Sequence, residues 1–598
     1  MAALKIENLI TDHLDLWTAA VRPKSSAGRG SNSKLELTGI KKLRELILEL
    51  AVRGKLVPQD PSDEPASVLL ERIAAEKTRL VKEGKIKKPK ALPEIGEEDK
   101  PFELPEGWEC IRLGDLTSKM GSGSTPRGGQ SAYVSEGIPF LRSQNVWNEG
   151  LRLDDVVYID ENTHLKMEGT KVIPGDVLLN ITGASLGRTL IFPDSIKEAN
   201  VSQHVTIIRL LIDELAPFVH LGIKSPLVQD LIWGRQVGMA IEGLSKRTLE
   251  LFEFPIPPLA EQQRIVAKVD ELMALCDQLE QRSESQLAAH QTLVETLLAT
   301  LTDSCDADEL AQNWARLSTH FDILFTTEAS IDALKQTILQ LAVMGKLVPQ
   351  DPSDEPASAL LERIAAEKAR LVKEKRIKKE KLLPAISEDE KPFELPQGWE
   401  WCHLKDIITI MDAGWSPACP PESSPDIDTW GVLKTTAVQT LEYREYENKV
   451  LDKTKTPRPE YEVMVGDILI TRAGPKNRVG ISCLVEKTRP KLMISDKIIR
   501  FHLVEVGLSE RFISLCLNAG ATAVYIDDSK SGMAESQMNI SQDKLKLAPI
   551  PLGPIKEQNH IMDRVDQLMT LCDQLKSRLQ TNQQTQLKLV DSLVEQAF

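Results

Sequence analysis

Arginine, lysine, asparagine and glutamine side chains stand at turn-rich positions in two separate parts of this 598-residue sequence. Such side chains carry paired donors or acceptors that fit base edges in a DNA groove, Arg or Lys toward guanine and Asn or Gln toward adenine. In the first part the candidates are Thr125, Arg127, Arg142, Ser143, Gln144, Asn145, Arg188 and Gln203. In the second part they are Lys434, Thr435, Thr436, Arg472, Lys476, Asn477, Arg478, Lys497 and Arg500. For each candidate an ordinary surface role stays open beside a base contact.

The segment Arg472–Arg500 is the most basic stretch among these candidates. It holds eight arginine and lysine residues against Glu486 and Asp496, a local surplus that favours phosphate binding. The first part of the chain has no such cluster. The whole chain carries a net charge of −15, which argues against non-specific coating of nucleic acid. Any nucleic-acid binding is therefore expected at local surfaces.

Motifs for cofactor-dependent chemistry are missing from the sequence. It contains no GxxxxGK[ST], no HExxH and no Asn/Asp-Pro-Pro-aromatic motif, and the glycine-rich Gly121–Gly129 lacks the Lys-Ser/Thr of a phosphate loop. The eight cysteines are far apart, and Cys276 and Cys572 are expected to be small buried apolar residues. We expect no catalytic residue, no metal site and no cofactor bound by the chain itself.

The N-terminus and the hydropathy pattern favour a cytoplasmic protein. The first seventeen residues have acids where a signal peptide would carry basic and then apolar residues. No run approaches eighteen apolar residues, so a membrane span is not expected.

One segment that occurs twice must position the candidates. Val52–Glu109 and Val343–Glu400 align without gaps and are identical at about four positions in five, which indicates a duplication. We call these copies and the helix before each of them the frame. Apolar residues from Ile40 and from Ile331 recur at helical spacing, with Gly54 and Gly345 as predicted helix stops. Ser62 or Asp63 is the predicted cap of a second frame helix.

Each copy of the frame is followed by an insert with its own sequence. The first, at about 108–256, is predicted to contain strands at 138–142, 156–159, 175–181 and 205–210, with a helical region Leu215–Trp233 broken at Pro226. The second, at about 399–550, is predicted to contain strands at 432–434, 466–472 and 497–502 and a helix near Ser509–Asn518. Each insert is long enough to bury a mixed α/β core.

Each insert passes into a predicted long helix, Leu259–Leu301 or Ile555–Leu593. Apolar residues alternate four and three apart in both, from Ile265 in the first and Ile561 in the second, so the two helices are expected to pair along a heptad seam. The second junction, Pro549–Met562, has two extra residues relative to the first, which leaves the start of that helix open.

These segments together resemble the specificity (S) subunits of type I restriction-modification systems, and with the N-terminal extension they are similar to the type IB subgroup. The resemblance rests on ILELAVRGKLVPQDPSDEPASVLLERI and its second copy, on GDVLLNITG and GDILITRAG, and on PIPPLAEQQRIVAKVDEL. It covers nearly the whole chain.

The resemblance implies an α/β (α+β) fold with two target-recognition domains separated by two antiparallel coiled-coil helices, in a pseudo-twofold arrangement. The expected regions are 1–100 and 302–390 for the two helical frame regions, 101–256 and 391–552 for the recognition domains, and 257–301 and 553–598 for the long helices. The resemblance also implies double-stranded DNA, two modification (methyltransferase) subunits and two restriction (translocase-nuclease) subunits as partners. S-adenosylmethionine, ATP and Mg²⁺ would then be bound by those partner subunits.

Antiparallel helices would place the two unlike inserts at opposite ends, so that each reads its own half of an asymmetric, interrupted target. A helix of about forty residues is about 60 Å long, enough to separate the readers by about one or two DNA turns. A non-DNA coiled-coil adaptor that displays two protein- or ligand-binding domains remains the alternative. A stand-alone nuclease or methyltransferase is disfavoured by the missing cofactor motifs.

Overall fold

Each copy of the frame folds together with the insert that follows it. In the computed structural model, which describes residues 8–23, 35–235, 243–304, 307–378, 386 and 391–597, the chain forms two compact units. One comprises Met1–Gln286 with Thr581–Phe598, and the other Leu287–Gln580. Each unit therefore contains one frame copy, one insert, the beginning of one long helix and the end of the other. The fold is mixed helix and sheet, as predicted. Cys305 lies outside the described residues.

The frame helices begin and end at equivalent places in both copies. The upstream frame helices span Thr38–Val52 and Glu328–Val343, and the downstream ones span Ala66–Lys82 and Ala357–Lys373. Gly54 and Gly345 follow the upstream helices with φ of 67° and 70°, which confirms them as helix stops. A Cβ on Gly54 would lie 2.6 Å from Pro105 and 2.9 Å from Trp108, so a side chain is excluded there twice over.

The predicted cap of the downstream frame helix is wrong. Pro65 precedes the first helical residue, Ala66, and no side chain caps the helix. Ser62 donates instead from its backbone and its hydroxyl to Asp60, and Asp63 pairs with Arg264 of the first long helix at 2.6 Å. Asp63 therefore joins the frame to the long helix, a tertiary role that a local pattern does not reveal.

The first insert contains two sheets, and the four predicted strand segments are confirmed within a residue or two. The four-stranded antiparallel sheet runs in the order Thr189–Ile191, Val177–Asn180, Val205–Leu210, Thr117–Ser122. The five-stranded sheet runs in the order Lys171–Val172, Ala199–Val201, Ile138–Leu141, Val157–Ile159, Tyr133–Val134, and its second and third strands are parallel. We call this insert domain 1.

The second insert, domain 2, repeats the same layout. Its four-stranded sheet runs in the order Ile408–Ala413, Ile498–Leu503, Ile468–Thr471, Ser482–Leu484. The smaller sheet runs in the order Asn448–Val450, Gly431–Leu433, Leu492–Met493, again with one parallel pair. Two domains with unlike sequences thus share one strand order, and their central strands, Val177–Asn180 and Ile468–Thr471, are buried along their whole length.

The helices that cover these sheets also match their predictions. Domain 1 has Ala216–Lys224 and Pro226–Gly234, so the helical region is broken at Pro226. Domain 2 has Glu510–Asn518, capped by Ser509, and a further helix Gly520–Asp528 that the sequence did not predict. The remaining helices are Leu14–Ala19, Glu161–Lys166, Lys246–Glu250, Ala307–Thr319, Phe321–Leu324, Leu404–Ile407 and Gln542–Lys546. None of the described helices is long and apolar enough to cross a membrane.

The long helices span Leu259–Asp303 and Ile555–Gln596. Their apolar seams are buried, and they pack against domain 2 and the upstream frame helix as well as against the other long helix. Ile561 and Val565 belong to the core that also contains Trp399 and Phe512 of domain 2. Cys572 lies in a second core, which gathers residues of the upstream frame helix and the end of the first long helix: Val294, Leu298, Leu301, Ile331, Leu334 and Ile338. A heptad pattern therefore marks a buried stripe here, shared among several helices.

The prediction that the second junction has two extra residues is wrong. Glu253–Ile256 pairs with the strand Glu109–Arg112, and Pro549–Leu552 pairs in the same register with Glu400–His403. Both long helices then begin two residues before a buried Glu-Gln pair, Glu261-Gln262 or Glu557-Gln558. The junctions are of equal length, and matching Pro-Ile-Pro in the two sequences had shifted their alignment by two residues.

Candidate nucleic-acid interface

One edge of the four-stranded sheet in domain 1 collects loops from distant parts of the sequence. Two strands end there, at Ser122 and Asn180, and their antiparallel neighbours begin there, at Thr189 and Val205. We call the loops at these strand ends edge 1. Thr125 donates its hydroxyl hydrogen to Oε1 of Gln203. These two predicted residues are far apart in sequence, and the structure brings them together with both side chains exposed.

The predicted turn Arg142–Asn145 belongs to the same edge, because the amide of Ser202 donates to the carbonyl of Leu141 at 2.9 Å. Its side chains converge on Asp155. Arg142 Nη2 donates to the carbonyl of Asp155 at 2.6 Å and lies 3.7 Å from its carboxylate. Gln144 donates to that carboxylate from Nε2, and Asn145 donates from Nδ2 at 2.9 Å. Asn145 is fully buried, whereas Gln144 is exposed.

Domain 2 builds the equivalent turn from other side chains. Lys434–Ala437 follows the strand Gly431–Leu433, and Glu447 takes the place of Asp155. Thr436 donates its hydroxyl hydrogen to Glu447 Oε2 at 2.7 Å, and Lys434 lies 3.8 Å from the same carboxylate. The two domains thus hold Arg-Ser-Gln-Asn and Lys-Thr-Thr-Ala on one backbone geometry, beside one carboxylate each.

Asn180 and Arg478 do the same structural work in the two domains. Asn180 Nδ2 donates to the carbonyls of Ser143 and Val146 at 2.8 and 3.3 Å. Arg478 Nη2 donates to the equivalent carbonyls of Thr435 and Val438 at 2.9 and 2.8 Å. Burial lowers the pKa of Arg478 below its ordinary value, and the charge of Arg444 adds to the shift. Arg478 is therefore half-buried and engaged, and its base contact stays a prediction.

Arg472 and Lys497 meet at the corresponding edge of domain 2, which we call edge 2. The amide of Arg472 donates to the carbonyl of Lys497 at 2.8 Å, just as that of Ile181 donates to His204 at 3.0 Å on edge 1. Within the described residues neither the Arg472 nor the Lys497 side chain has a hydrogen-bond or ion-pair partner, and Lys497 is exposed. These two cations are available to a ligand.

Lys476 and Asn477 extend edge 2 toward a cavity with a mixed polar and apolar lining. Both side chains are exposed and line it together with Lys530 and Glu535. The backbone amide of Lys476 donates to Glu535 at 2.7 Å. On edge 1, Arg127 is likewise exposed and has no side-chain partner among the residues that the structure describes.

Among the predicted residues, Arg500 is held by ion pairs inside domain 2. Its side chain is 11% exposed and lies 2.7 Å from Asp412 and 3.7 Å from Asp467. Arg209 pairs with Asp176 in the same way at 2.7 Å in domain 1. The basic stretch is reduced further because Lys491 pairs with Asp428 at 3.1 Å. Among the described residues, the cations of this stretch whose side chains have no hydrogen-bond or ion-pair partner are Arg472, Lys476, Lys487 and Lys497. Phosphate binding by them stays a prediction.

Arg188 lies on the face of Trp147, with its guanidinium carbon 3.6 Å from the ring centroid, and Arg152 lies 3.4 Å from the same centroid. Sequence reasoning named Arg188 but missed Trp147 and Arg152. It also missed the contact of His204 with Thr182 at 2.7 Å, and Trp415 with Arg458 over its ring at 4.3 Å. Trp147 lies two residues after the predicted turn Arg142–Asn145, and this position in the sequence could have identified it as a candidate.

The loop Gly183–Gly187 has the G-x-S-x-G spacing of a hydrolase nucleophile. Here it joins two strands, whereas a nucleophile elbow joins a strand to a helix. The Ser185 hydroxyl donates to the carbonyl of Thr182 at 3.4 Å. Ser185 therefore closes a turn of edge 1. Within the described residues no group of three His, Cys, Asp or Glu side chains is placed to hold a metal ion.

Comparison with known proteins gives one consistent family. Residues 105–289 and 396–584 match the family described as "Type I restriction modification DNA specificity domain". The chain is 57% identical over 601 residues to the type I restriction enzyme EcoEI specificity subunit of Escherichia coli, and the match covers 100% of both chains. It is 41% identical over 618 residues to the EcoAI specificity subunit of Escherichia coli, again over 100% of both chains.

Among solved structures, the HsdS subunit from Thermoanaerobacter tengcongensis matches with 16% identity and a TM-score of 0.37, over 83% of this chain and 98% of that one. A chain solved in work on complex assembly and conformational transition of the type I R-M system matches with 15% identity and a TM-score of 0.46. That match covers 83% of this chain and 99% of the other.

Proposed function

The chain belongs to the family of type I restriction-modification specificity subunits, and we propose that each of its two domains reads one half of an interrupted duplex DNA target. Its role is DNA sequence specificity. In the proposed mechanism edge 1 enters the groove at one half-site and edge 2 enters it at the other. Because the two edges carry different side chains, the two half-sites have different sequences.

One observation carries this proposal: the two edges share a backbone but not their donors. Asp155 and Glu447 hold equivalent turns, and the turns present Arg142 and Gln144 on one domain and Lys434 and Thr436 on the other. A fixed carboxylate orients polar side chains at low entropic cost, so a change of residue type alters the bases contacted and leaves the scaffold intact.

We infer that catalysis resides in partner subunits. The relatives are specificity subunits of restriction enzymes, so we propose assembly with two methyltransferase and two restriction subunits. S-adenosylmethionine, ATP and Mg²⁺ would be bound by those partners and would support adenine methylation, DNA translocation and cleavage. The repeated frame supports two copies of one partner, because it presents nearly the same residues twice. DNA as the target implies a cytoplasmic location.

Selection from a randomised duplex pool tests the proposal. The full chain, assembled with its methyltransferase subunits, is mixed with the pool, and bound DNA is separated by mobility shift and sequenced. We expect two short conserved blocks of unlike sequence, separated by a spacer of fixed length. Binding should weaken steeply as salt rises, because phosphate contacts release counterions. Recovery of no interrupted motif would contradict the proposal and favour a non-DNA adaptor.

A further inference from the structure

Two arginines of edge 1 share one indole ring. The guanidinium carbons of Arg152 and Arg188 lie 3.4 and 3.6 Å from the Trp147 ring centroid. Both distances are close to van der Waals contact, so both groups fit only on opposite faces of the ring. The two positive charges are therefore about 7 Å apart, a separation set by the indole between them.

This arrangement leaves positive charge uncompensated. At this separation two cations repel each other by an energy comparable with the gain from two exposed cation–π contacts, so the stack is close to energetic balance. Arg152 has one weak partner, Glu149 at 3.8 Å. Arg188 has no carboxylate partner among the described residues. An anion between or beside the guanidinium groups would stabilise all three side chains.

The stack is built into edge 1. Trp147 Nε1 donates to the carbonyl of Gln144 at 2.7 Å, which ties the indole to the predicted reading turn. Asn148, the next residue, accepts from the amide of Thr189 at 2.9 Å and so fixes the hairpin against the strand that follows Arg188. The side chains therefore project from a rigid hairpin, next to the exposed Gln144.

We propose that Arg152, Trp147 and Arg188 form a clamp for DNA backbone phosphates beside the bases read by domain 1. The inference rests on the proposed function and adds the chemical group that these residues bind. The uncompensated charge of the two guanidinium groups favours a phosphate over a base edge as the ligand. A base edge offers only dipoles, whereas a phosphate supplies the missing negative charge. The clamp contributes affinity and register, and sequence is read by the neighbouring turn.

Domain 2 has no equivalent clamp within its described residues. Gln439 occupies the hairpin position of Trp147, as the paired registers of the two hairpins show. Arg444, the counterpart of Arg152, is neutralised by Glu442 at 2.7 Å. Arg478 turns inward and donates to Gln439 at 2.9 Å. A phosphate contact from this hairpin is therefore expected at the domain 1 half of the target and not at the equivalent place of domain 2.

The test measures DNA affinity as a function of salt for the full chain assembled with its methyltransferase subunits. The variants are Arg188→Gln, Arg152→Gln and Trp147→Gln, the last of which installs the domain 2 residue. Arg247→Gln is the matched control, because Arg247 is exposed on the short helix Lys246–Glu250 and takes no part in the Trp147 stack. Arg188→Lys keeps the charge and should retain most of the salt slope.

We expect each arginine variant to lower the slope of log affinity against log salt by about 1 and to weaken binding several-fold, with the selected sequence unchanged. Trp147→Gln should have the same effect through loss of both stacks. An unchanged slope with a changed base at one position would overturn the clamp in favour of base readout. A slope equal to that of wild type and Arg247→Gln would also overturn it. Failure of the proposed function looks different, because wild-type protein itself would then select no bipartite sequence.

Discussion

Arg478 and Arg472 show how two arginines of one loop take different roles. Arg478 donates three hydrogen bonds to Thr435, Val438 and Gln439 at 2.8–2.9 Å, and it occupies the place that Asn180 fills in domain 1. Arg472 has no side-chain partner in the part of the chain that the structure describes. A charge count treats the two as equal, but only Arg472 keeps its donors for a ligand.

This difference gives a prediction about stability and binding. Arg478→Gln should destabilise domain 2 by about 2 to 3 kcal/mol, because buried carbonyls lose a charged donor. Arg472→Gln makes the same charge change and should alter stability by less than about 0.5 kcal/mol while weakening DNA binding. Thermal unfolding and DNA titration of both variants check this. Equal unfolding temperatures, or a binding loss confined to Arg478→Gln in a fully folded protein, would refute the assignment.

At the residue scale, the structure brings several predicted loops together, but residue type alone did not predict the surroundings of each side chain. Thr125 and Gln203 meet on edge 1, and Arg472 meets Lys497 on edge 2. Asn145 and Arg500 were chosen by residue type alone. The structure buries Asn145 beside Asp155 and pairs the largely buried Arg500 with Asp412. Residue type specifies which hydrogen bonds a side chain can make, but its neighbours decide where those bonds go.

At the scale of elements, a buried tryptophan–glutamate pair joins each frame to its long helix. Trp108 Nε1 donates to Glu261 Oε2 at 3.1 Å, and Trp399 Nε1 donates to Glu557 Oε2 at 3.0 Å. Gln350 donates to the second oxygen of Glu557 at 3.2 Å, whereas Oε1 of Glu261 is buried without a partner. Burial raises the pKa of Glu261 to about 7, although the Trp108 bond and Arg264 oppose this shift.

Glu261 should therefore make stability depend on pH. A carboxyl group with a raised pKa holds its proton more tightly in the folded state, so its favourable contribution is present below the unfolded pKa of about 4.5 and is lost as pH rises to about 7. Glu261→Gln should raise the free energy of unfolding at pH 8 by about 1 to 2 kcal/mol relative to wild type. At pH 5 the gain should be much smaller.

Thermal unfolding midpoints at the two pH values measure this effect. Glu557→Gln is the matched control, since the pKa of Glu557 is also raised by burial but both of its oxygens accept hydrogen bonds. Its pH-dependent gain should be smaller. If Glu261→Gln shifted the midpoint equally at pH 5 and pH 8, the carboxyl group would not titrate as described.

Element boundaries were the most predictable part of the fold. Both long helices, the break at Pro226 and the helix stops at Gly54 and Gly345 follow from local rules of period, proline and glycine. The helix Gly520–Asp528 was missed because its apolar residues do not form one stripe. The junction at Pro549 was misaligned because equivalence there depends on strand pairing, and repeated Pro-Ile-Pro letters suggested another register.

At the scale of the whole molecule, one frame occurs twice and carries two domains with a common strand order and unlike edges. The duplication was visible in the sequence, since about four residues in five are shared between Val52–Glu109 and Val343–Glu400. The common strand order of the two domains was only partly visible, because few of their residues are shared. We propose that each domain reads its own half of the target independently of the other.

Exchange of residues 399–550 for the corresponding domain of another specificity subunit tests that claim most directly. The hybrid chain, assembled with the methyltransferase subunits, would be supplied with S-adenosylmethionine, and the methylated adenines in exposed DNA would be mapped. We expect the half-site read by domain 1 and the spacer to remain as in wild type, while the other half-site takes the sequence of the donor protein. A change in both half-sites, or in neither, would contradict the account.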